Sequence, residues 1–588
     1  MQKQYLERIF PCLRWLQDYN RGQFSSDLIA AVIVTMMLIP QSLAYALLAG
    51  VSPQVGLYAS ILPLILYAIF GTSRTLSVGP VAVASLMTAA AIGNLGVEND
   101  LDYLNAAIML AFLSGVFLIL MGLLKLGFLA NFLSHPVVSG FITASGIIIG
   151  FSQLKHILGI QASGDNLIDL GETLLANIAD VNLVTMALGF SVLAFLYWSR
   201  RGLKRRLTAL AGPVPALQLI PRIAPVFAIL LSSVVAYAFT LGDYGLALVG
   251  GIPAGLPSPV LPNFSNGTWV DLIMPAILIS IIGYVESVSV GRTLAAKRRQ
   301  KINPNQELIG LGSANIGSAV SGGFPVTGGF SRSVVNFDAG AETPLASFMT
   351  AIAIAIATLT LTGALAFLPN ATLAATIIVA ISGLIDFGVL KSTWKYAKSD
   401  FMAVFATIVI TLLAGVEMGV LSGVLISIFL HLYKTSRPHI AEVGQIPGTE
   451  HFRNVDRHTV ITHPGILTLR LDESLYFPNA TYLEDQILKR IADSEDLKHI
   501  ILMCTAINEI DVSALEILEA LNQYLKDLGI GFHLSEVKGP VMDSLKNTSF
   551  LEHLNGQVFL SQHQAIQGLL QRRYERARQD PDFIDYQI

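Results

Sequence analysis

The chain has 588 residues, 53% hydrophobic and 13% charged, with a formal net charge of -4 and a mean hydropathy of +0.61. A soluble domain carries about 25% charged residues, so the composition excludes a soluble class in favour of a polytopic α-helical membrane protein, and the charge balance gives no support to nucleic-acid binding. Two cysteines, Cys12 and Cys504, lie far apart and outside any pairing motif, which excludes a disulfide framework and a cysteine metal site.

Residues 1–24 carry Lys3, Arg8, Arg14 and Arg21 among aromatics and read as a cytoplasmic amphipathic segment. The first apolar stretch continues past Pro40 through Q-S-L-A-Y-A-L-L-A-G without a cleavage-like end, so it is read as a retained span. Spans are predicted at 28–48, 54–70, 79–95, 104–124, 137–153, 183–199 and 223–240, then at 270–290, 307–322, 326–337, 344–365, 371–387, 401–414 and 416–433. Several are shorter than the roughly 20 residues of a straight crossing, which predicts broken or tilted helices. Basic residues test the count of fourteen. Arg74, Lys125, the run Arg200–Arg206, the run Lys297–Lys301 and the set Lys391, Lys395 and Lys398 all follow even-numbered spans, so they fall on one side, the cytoplasmic one. The opposite connections agree: 96–103 holds Glu98, Asp100 and Asp102, and 241–269 holds no Lys or Arg. Both termini are then cytoplasmic.

Within this apolar chain the stretch Ser321–Asp338, S-G-G-F-P-V-T-G-G-F-S-R-S-V-V-N-F-D, is anomalous. Glycines, a proline, hydroxyls and Arg332 suit backbone that lines a cavity or is buried in protein. The stretch Leu76–Met87, L-S-V-G-P-V-A-V-A-S-L-M, is its counterpart, with Pro80 set against Pro325. Interrupted hydrophobic segments in corresponding halves of a membrane chain point to a transporter's binding site.

After Tyr433 the composition changes. Segment 434–454 reads as a polar linker with Pro438 and Pro447. From 455 to 570 the pattern becomes soluble α/β: strands T-V-I-T-H, G-I-L-T-L-R-L, H-I-I-L-M-C and G-F-H-L-S-E-V alternate with helices at Thr481–Ala492, Val512–Lys526 and Pro540–Thr548. A small sheet packed by helices follows. The tail 571–588 is highly charged. His451, His458 and His463 lack metal-site spacing, and no nucleophile–base pair, metal set or phosphate loop is found, so neither an enzyme nor a cofactor is expected.

The run P-Q-S-L-A-Y-A-L-L-A-G-V-S-P-Q-V-G-L-Y-A-S from Pro40, then F-G-T-S-R-T-L-S-V-G-P-V-A-V-A-S from Phe70, resembles the signature of the SulP anion transporters. This family includes sulfate permeases, bicarbonate transporters and animal solute carriers. The segments Y-V-E-S-V-S-V-G-R-T-L-A from Tyr284 and G-G-F-S-R-S-V-V-N-F-D-A-G-A-E-T-P-L-A from Gly328 extend the match, and the C-terminal region resembles a STAS domain. Two positions depart. Val55 stands where the signature has tyrosine. Val512 stands where bacterial anti-sigma-antagonist relatives carry a phosphorylated serine after the aspartate, with Ser513 adjacent.

The resemblance implies fourteen spans in a 7+7 inverted repeat over 25–433, with spans 1–4 and 8–11 as core and 5–7 and 12–14 as gate. It also implies a cytoplasmic STAS domain and a homodimer. Spans 3 and 10 would be half-helices whose amino ends face each other across the substrate. By their match to the family, Val81, Ala82 and Val83 in one half and Phe330, Ser331 and Arg332 in the other would bind it, with Gly328 and Gly329 letting the backbone approach. Gln41 and Tyr45, four apart on one helical face, match residues that line the family's pocket, while Ser42, Ser287 and Thr327 are weaker candidates. An unpaired arginine at this depth costs several kcal/mol, so Arg332 is expected to face the anion or a carboxylate. Glu286, the acid inside span 8, matches the position used by cation-coupled members, and a buried carboxyl that can take up a proton suits that role.

The function expected is secondary active transport of a small anion by alternating access. Sulfate leads, with bicarbonate or a dicarboxylate possible, and coupling favours the proton over sodium. The alternatives are an uncoupled channel or exchanger, or a STAS-led sensor or scaffold. Asn263 and Asn266 begin sequon-like triplets on a predicted outer loop, and the compact loops point to a bacterial inner membrane.

Overall fold

The structure is a computed structural model. It describes residues 7–578 apart from 8–9, 97–98, 132–134, 165, 201–214, 252–254, 265–268, 361–362, 364–365 and 495. Glu98, Asn266, the basic run from Arg201 to Arg206 and the tail past 578 therefore lie outside the described residues. The chain divides into two compact units, Met1–Ser427 and Ile428–Ile588.

The first unit is helical. Among the described residues five segments are long and apolar enough to cross a membrane: Arg21–Leu48, Pro53–Phe70, Asp100–Leu123, Pro136–Leu158 and Ile273–Lys297. Shorter apolar helices accompany them, including Ala82–Gly93, Leu345–Thr360 and Asn370–Ile381. The predicted span 54–70 is broken into helices Pro53–Tyr58 and Leu62–Phe70, the second with Pro63 in its first turn, where a missing N–H costs nothing. Two helices were not anticipated. Leu167–Ala176, capped by Asn166, is amphipathic, and Gly388–Tyr396 lies where the sequence offered only a basic connection.

Small residues let the helices approach closely. A Cβ on Gly115 would meet the carbonyl oxygen of Gly312 at 2.8 Å, and one on Gly312 would meet that of Gly115 at 2.7 Å. Helices Asp100–Leu123 and Pro304–Val320 therefore touch backbone to backbone, the packing that membrane helices use in place of a hydrophobic drive. Two buried carboxylates fasten the loops beside the interrupted segments. Glu307 accepts from Thr72 N at 2.7 Å, Ser73 N at 3.0 Å and the Tyr67 hydroxyl at 2.7 Å. Asp27 accepts from Glu342 N at 2.7 Å and Thr343 N at 3.1 Å. Each burial is offset by backbone donors that would otherwise lack a partner.

The interrupted segments cross. Strand β1 (Val78–Gly79) pairs antiparallel with β2 (Thr327–Gly328), Val78 opposite Gly328 and Gly79 opposite Thr327. Helix Ala82–Gly93 leaves just after β1, and helix Phe330–Asp338 just after β2.

The second unit is a six-stranded sheet in the order β4-β3-β5-β6-β7-β8. Its strands are β3 (Ile440–Gln445), β4 (Phe452–Asn454), β5 (Ile466–Leu471), β6 (His499–Met503), β7 (Gly531–Ser535) and β8 (Val558–Phe559). From β5 to β8 the pairing is parallel, while β3 is antiparallel to both its neighbours. Residues of β6 alternate between faces: Ile500 and Leu502 join the core under helices Ala480–Ala492 and Val512–Asp527, and Ile501 and Met503 the core under helix Gln562–Arg578. Burial on both faces explains its continuous apolar run.

Two expectations are corrected here. Segment 434–454 is not a linker, because β3 and β4 lie within it and bury Ala441, Val443 and Phe452. The stretch T-V-I-T-H forms isolated bridges at Ile461 and His463 rather than a strand. Helix Gln562–Arg578 carries the chain into the charged tail, in line with a helix end there, and its Ala565, Ile566 and Leu569 fill the core.

Candidate functional site

Helix Arg21–Leu48 continues through Pro40, and the next turn presents Gln41 and Tyr45 on one face. Helix Ile273–Lys297 brings Glu286 to the same place, and the two short helices bring their amino ends. One cavity of about 40 Å³ is lined by Gln41, Tyr45, Val81, Ala82, Val83, Glu286, Phe330, Ser331 and Arg332. The nine leading binding and coupling candidates from the sequence thus line a single cavity. Pro80, Gly329, Ala380 and Leu384 complete the wall. The last two had no sequence signal, being ordinary apolar residues at the end of an apolar helix. Ser42 bonds Ser60 at 2.7 Å, and Ser287 and Thr327 bond each other at 2.7 Å, so these three hydroxyls fasten helices and do not line the cavity.

Both short helices end at the cavity without a side-chain cap. The first helical bond of one is Ser85 N–H to Val81 O, and of the other Ser333 N–H to Gly329 O. The amides ahead of them, among them Ala82, Val83, Phe330 and Ser331, have no intrahelical acceptor. Each helix end carries about half a positive charge. Two such ends with Arg332 on one small cavity form an arrangement that can hold an anion.

Arg332 is 2% exposed. Backbone carbonyls hold its guanidinium. Nε donates to Ser77 O at 3.2 Å, Nη2 to Ser77 O at 3.1 Å and Thr327 O at 3.4 Å, and Nη1 to Pro80 O at 3.1 Å. A guanidinium has five N–H donors, so these four bonds leave one Nη1 hydrogen for another acceptor. Backbone carbonyls orient the group without neutralising it, so the positive charge stays available to the cavity. Glu286 forms no salt bridge with it, and its carboxyl has no hydrogen-bond partner among the described residues.

The two glycines also leave room for close packing. A Cβ on Gly328 would meet the Leu76 side chain at 2.8 Å, and one on Gly329 would meet Val81 at 3.1 Å and Arg332 at 3.4 Å. The space they leave is used by packing between the two halves of the site.

Residues 24–407 match the model of the sulfate permease family, and residues 458–565 match the STAS domain. The chain is 35% identical over 582 residues to sulfate transporter 4.1, chloroplastic, of Arabidopsis thaliana, covering 96% of this chain and 83% of that protein. It is 31% identical to high affinity sulfate transporter 2 of Stylosanthes hamata, covering 95% and 86%. In fold it is similar to the murine solute carrier 26 family member A9, an anion transporter, with a TM-score of 0.88 at 23% identity, covering 97% of this chain and 95% of that one. The transmembrane domain of a cyanobacterial bicarbonate transporter aligns with a TM-score of 0.59 at 24% identity, covering 69% and 98%. The chain belongs to the sulfate permease family of membrane anion transporters, and it carries a STAS domain behind its transport unit.

Proposed function

We propose that the protein is a secondary active transporter of a small anion, sulfate first, moved together with a proton by alternating access. The observation that carries this reading is the convergence of two uncapped helix ends, Arg332 and Glu286 on one cavity. Arg332 with two helix ends sums to roughly two positive charges. Sulfate carries two negative charges and is matched when Glu286 is neutral. With Glu286 ionised the site is left near one positive charge and disfavours the dianion. Anion and proton then load together, and the proton is favoured over sodium. A water needs about 10–15 Å³ of such space, so the cavity of about 40 Å³ accepts an anion that has shed most of its hydration.

In this reading the fourteen spans form a 7+7 inverted repeat, the short helices being spans 3 and 10. The core, spans 1–4 and 8–11, carries the anion past a gate of spans 5–7 and 12–14, to which Ala380 and Leu384 belong. Val81, Ala82, Val83, Phe330 and Ser331 supply backbone donors, Gln41 a side-chain donor, and Tyr45 one wall. The protein works as a homodimer in a membrane of bacterial inner-membrane type, with both termini and the STAS domain cytoplasmic.

The test is uptake of labelled sulfate, bicarbonate and succinate into proteoliposomes, with pH and sodium gradients imposed separately. Sulfate uptake driven by an inward proton gradient is expected. Uptake that ignores both gradients would overturn coupling, and absence of uptake for all three would overturn the substrate class.

A further inference from the structure

The second unit has a pocket of about 280 Å³ that the transport reading does not use. It is lined by His439 just ahead of β3, Arg453 and Asn454 of β4, Arg457 and His458 of the following turn, Arg470 of β5, and Asp472 just beyond it. Three guanidiniums face one carboxylate, so the lining carries 3 − 1 = 2 net positive charges with its histidines neutral. That carboxylate is already engaged. Asp472 accepts from Arg470 Nε at 2.5 Å and Nη2 at 3.1 Å, and its Oδ2 lies 2.8 Å from His439 Nδ1. Arg453 gives one N–H to its neighbour's carbonyl, Phe452 O, at 2.9 Å. Neither Arg453 nor Arg457 has a carboxylate partner among the described residues.

The turn that carries the free cations is built, not loose. Asn454 is 8% exposed. Its Oδ1 accepts from Asp456 N at 2.7 Å, and its carbonyl accepts from Arg457 N at 3.2 Å and His458 N at 3.1 Å. The β3–β4 pairing fixes the other side, Val443 opposite Asn454 and Gly444 opposite Arg453. Arg453 and Arg457, which have no carboxylate partner among the described residues, repel one another in this concave site, a cost that an anion removes. Planar guanidiniums match the paired oxygens of a tetrahedral oxyanion, and such charge-assisted bonds are among the stronger hydrogen bonds. His458 finds its use here, and no cluster of metal-binding type forms around it among the described residues.

We propose that this pocket is a binding site for a dianionic tetrahedral oxyanion, either free or as the head of a small phosphate ester. The site is independent of the transport cavity, so its test does not depend on transport. The full chain, purified in nanodiscs, is titrated by calorimetry with sulfate, inorganic phosphate and glycerol 3-phosphate at constant ionic strength. The Arg332→Ala background removes the contribution of the membrane cavity. Saturable binding is expected in that background, weakened tenfold or more by Arg453→Gln with Arg457→Gln, and weakened less by Arg457→Lys, which keeps the charge but loses the fork. A preference for glycerol 3-phosphate assigns the site to esters, and equal binding of sulfate and phosphate to free dianions. Both arginines are exposed, so the variants are expected to unfold at the wild-type temperature, and Arg457→Gln alone provides the reading if the double variant does not. Binding unchanged by these substitutions, or matched by chloride at equal ionic strength, would overturn the proposal.

Discussion

Helix Ala82–Gly93 opens with small apolar residues, Ala82, Val83 and Ala84, all buried, and reaches the cavity with nothing but backbone to offer. Helix Phe330–Asp338 meets it from the other half with Phe330 48% exposed and Arg332 buried, and its side chains make the ties between the halves. Arg332 holds Ser77 O and Pro80 O, Ser333 Oγ accepts from Ser77 N at 3.0 Å, and Asn336 Nδ2 donates to Thr75 O at 3.0 Å. Every one of these bonds runs from a side chain of the second segment to backbone of the first. The first half therefore serves as a dipole and the second as dipole, charge and clamp. Two segments that occupy corresponding places in the chain are unequal in energy.

The comparison breaks most visibly at Arg332. Arg332→Ala removes the charge and leaves the carbonyls of Ser77, Pro80 and Thr327 buried without this donor, each worth about 1–3 kcal/mol. Sulfate uptake is expected to fall by about a hundredfold or more, corresponding to roughly 2.7 kcal/mol, with a lower unfolding temperature by scanning fluorimetry. A variant that keeps wild-type uptake would mean that the clamp and the charge lie elsewhere.

Glu286→Gln separates charge from shape. The isosteric amide should leave equilibrium sulfate binding within about threefold, under 1 kcal/mol, while uptake loses its response to an imposed proton gradient. Flux measured from pH 5 to 8 is expected to be flat in the variant and to fall with rising pH in the wild type, because the carboxyl must be protonated when the dianion loads. Retention of the wild-type profile would remove Glu286 from the coupling role.

Gly328→Val tests the packing between the halves. Its Cβ would press on Leu76, and overpacking typically costs about 1–3 kcal/mol, so both expression and uptake should drop several-fold, with partial rescue by Leu76→Ala. Ser333→Ala is expected to cost about 1 kcal/mol by losing the acceptor of Ser77 N–H, seen as a lower unfolding temperature with uptake reduced about fivefold. The smallest effect belongs to the other helix. Ala82→Gly removes one methyl group and keeps the amide, so uptake should stay within about twofold, a few tenths of a kcal/mol. If Ala82→Gly and Arg332→Ala gave equal losses, the inequality of the halves would be wrong.

Much of the site could be read before any coordinates. Gln41 and Tyr45 share a helical face by their spacing and were picked out by their match to the family's pocket, and Pro80 against Pro325 marks the paired interruptions, because glycine and proline leave a sequence trace wherever backbone departs from a helix. What Arg332 touches left no trace, since its partners are backbone carbonyls common to every residue type. Strands β3 and β4 were hidden for another reason: their charged and polar positions look like a linker, and the alternation of Ala441 with Val443 is too short to stand out. Ala380 and Leu384 were illegible because a wall of a cavity needs shape and no particular chemistry.

By itself the sequence determined that this is a membrane chain with an α/β unit after it, and it marked two interrupted segments as the place to look for the chemistry. Composition and periodicity are local, and they survive without a fold. Tertiary structure alone decided how that chemistry is mounted: Arg332 reaches Ser77, a residue 255 positions earlier, and the β1–β2 crossing sets two helix ends on one cavity. Contacts over such separations depend on the packing of every helix between them, which no local pattern records.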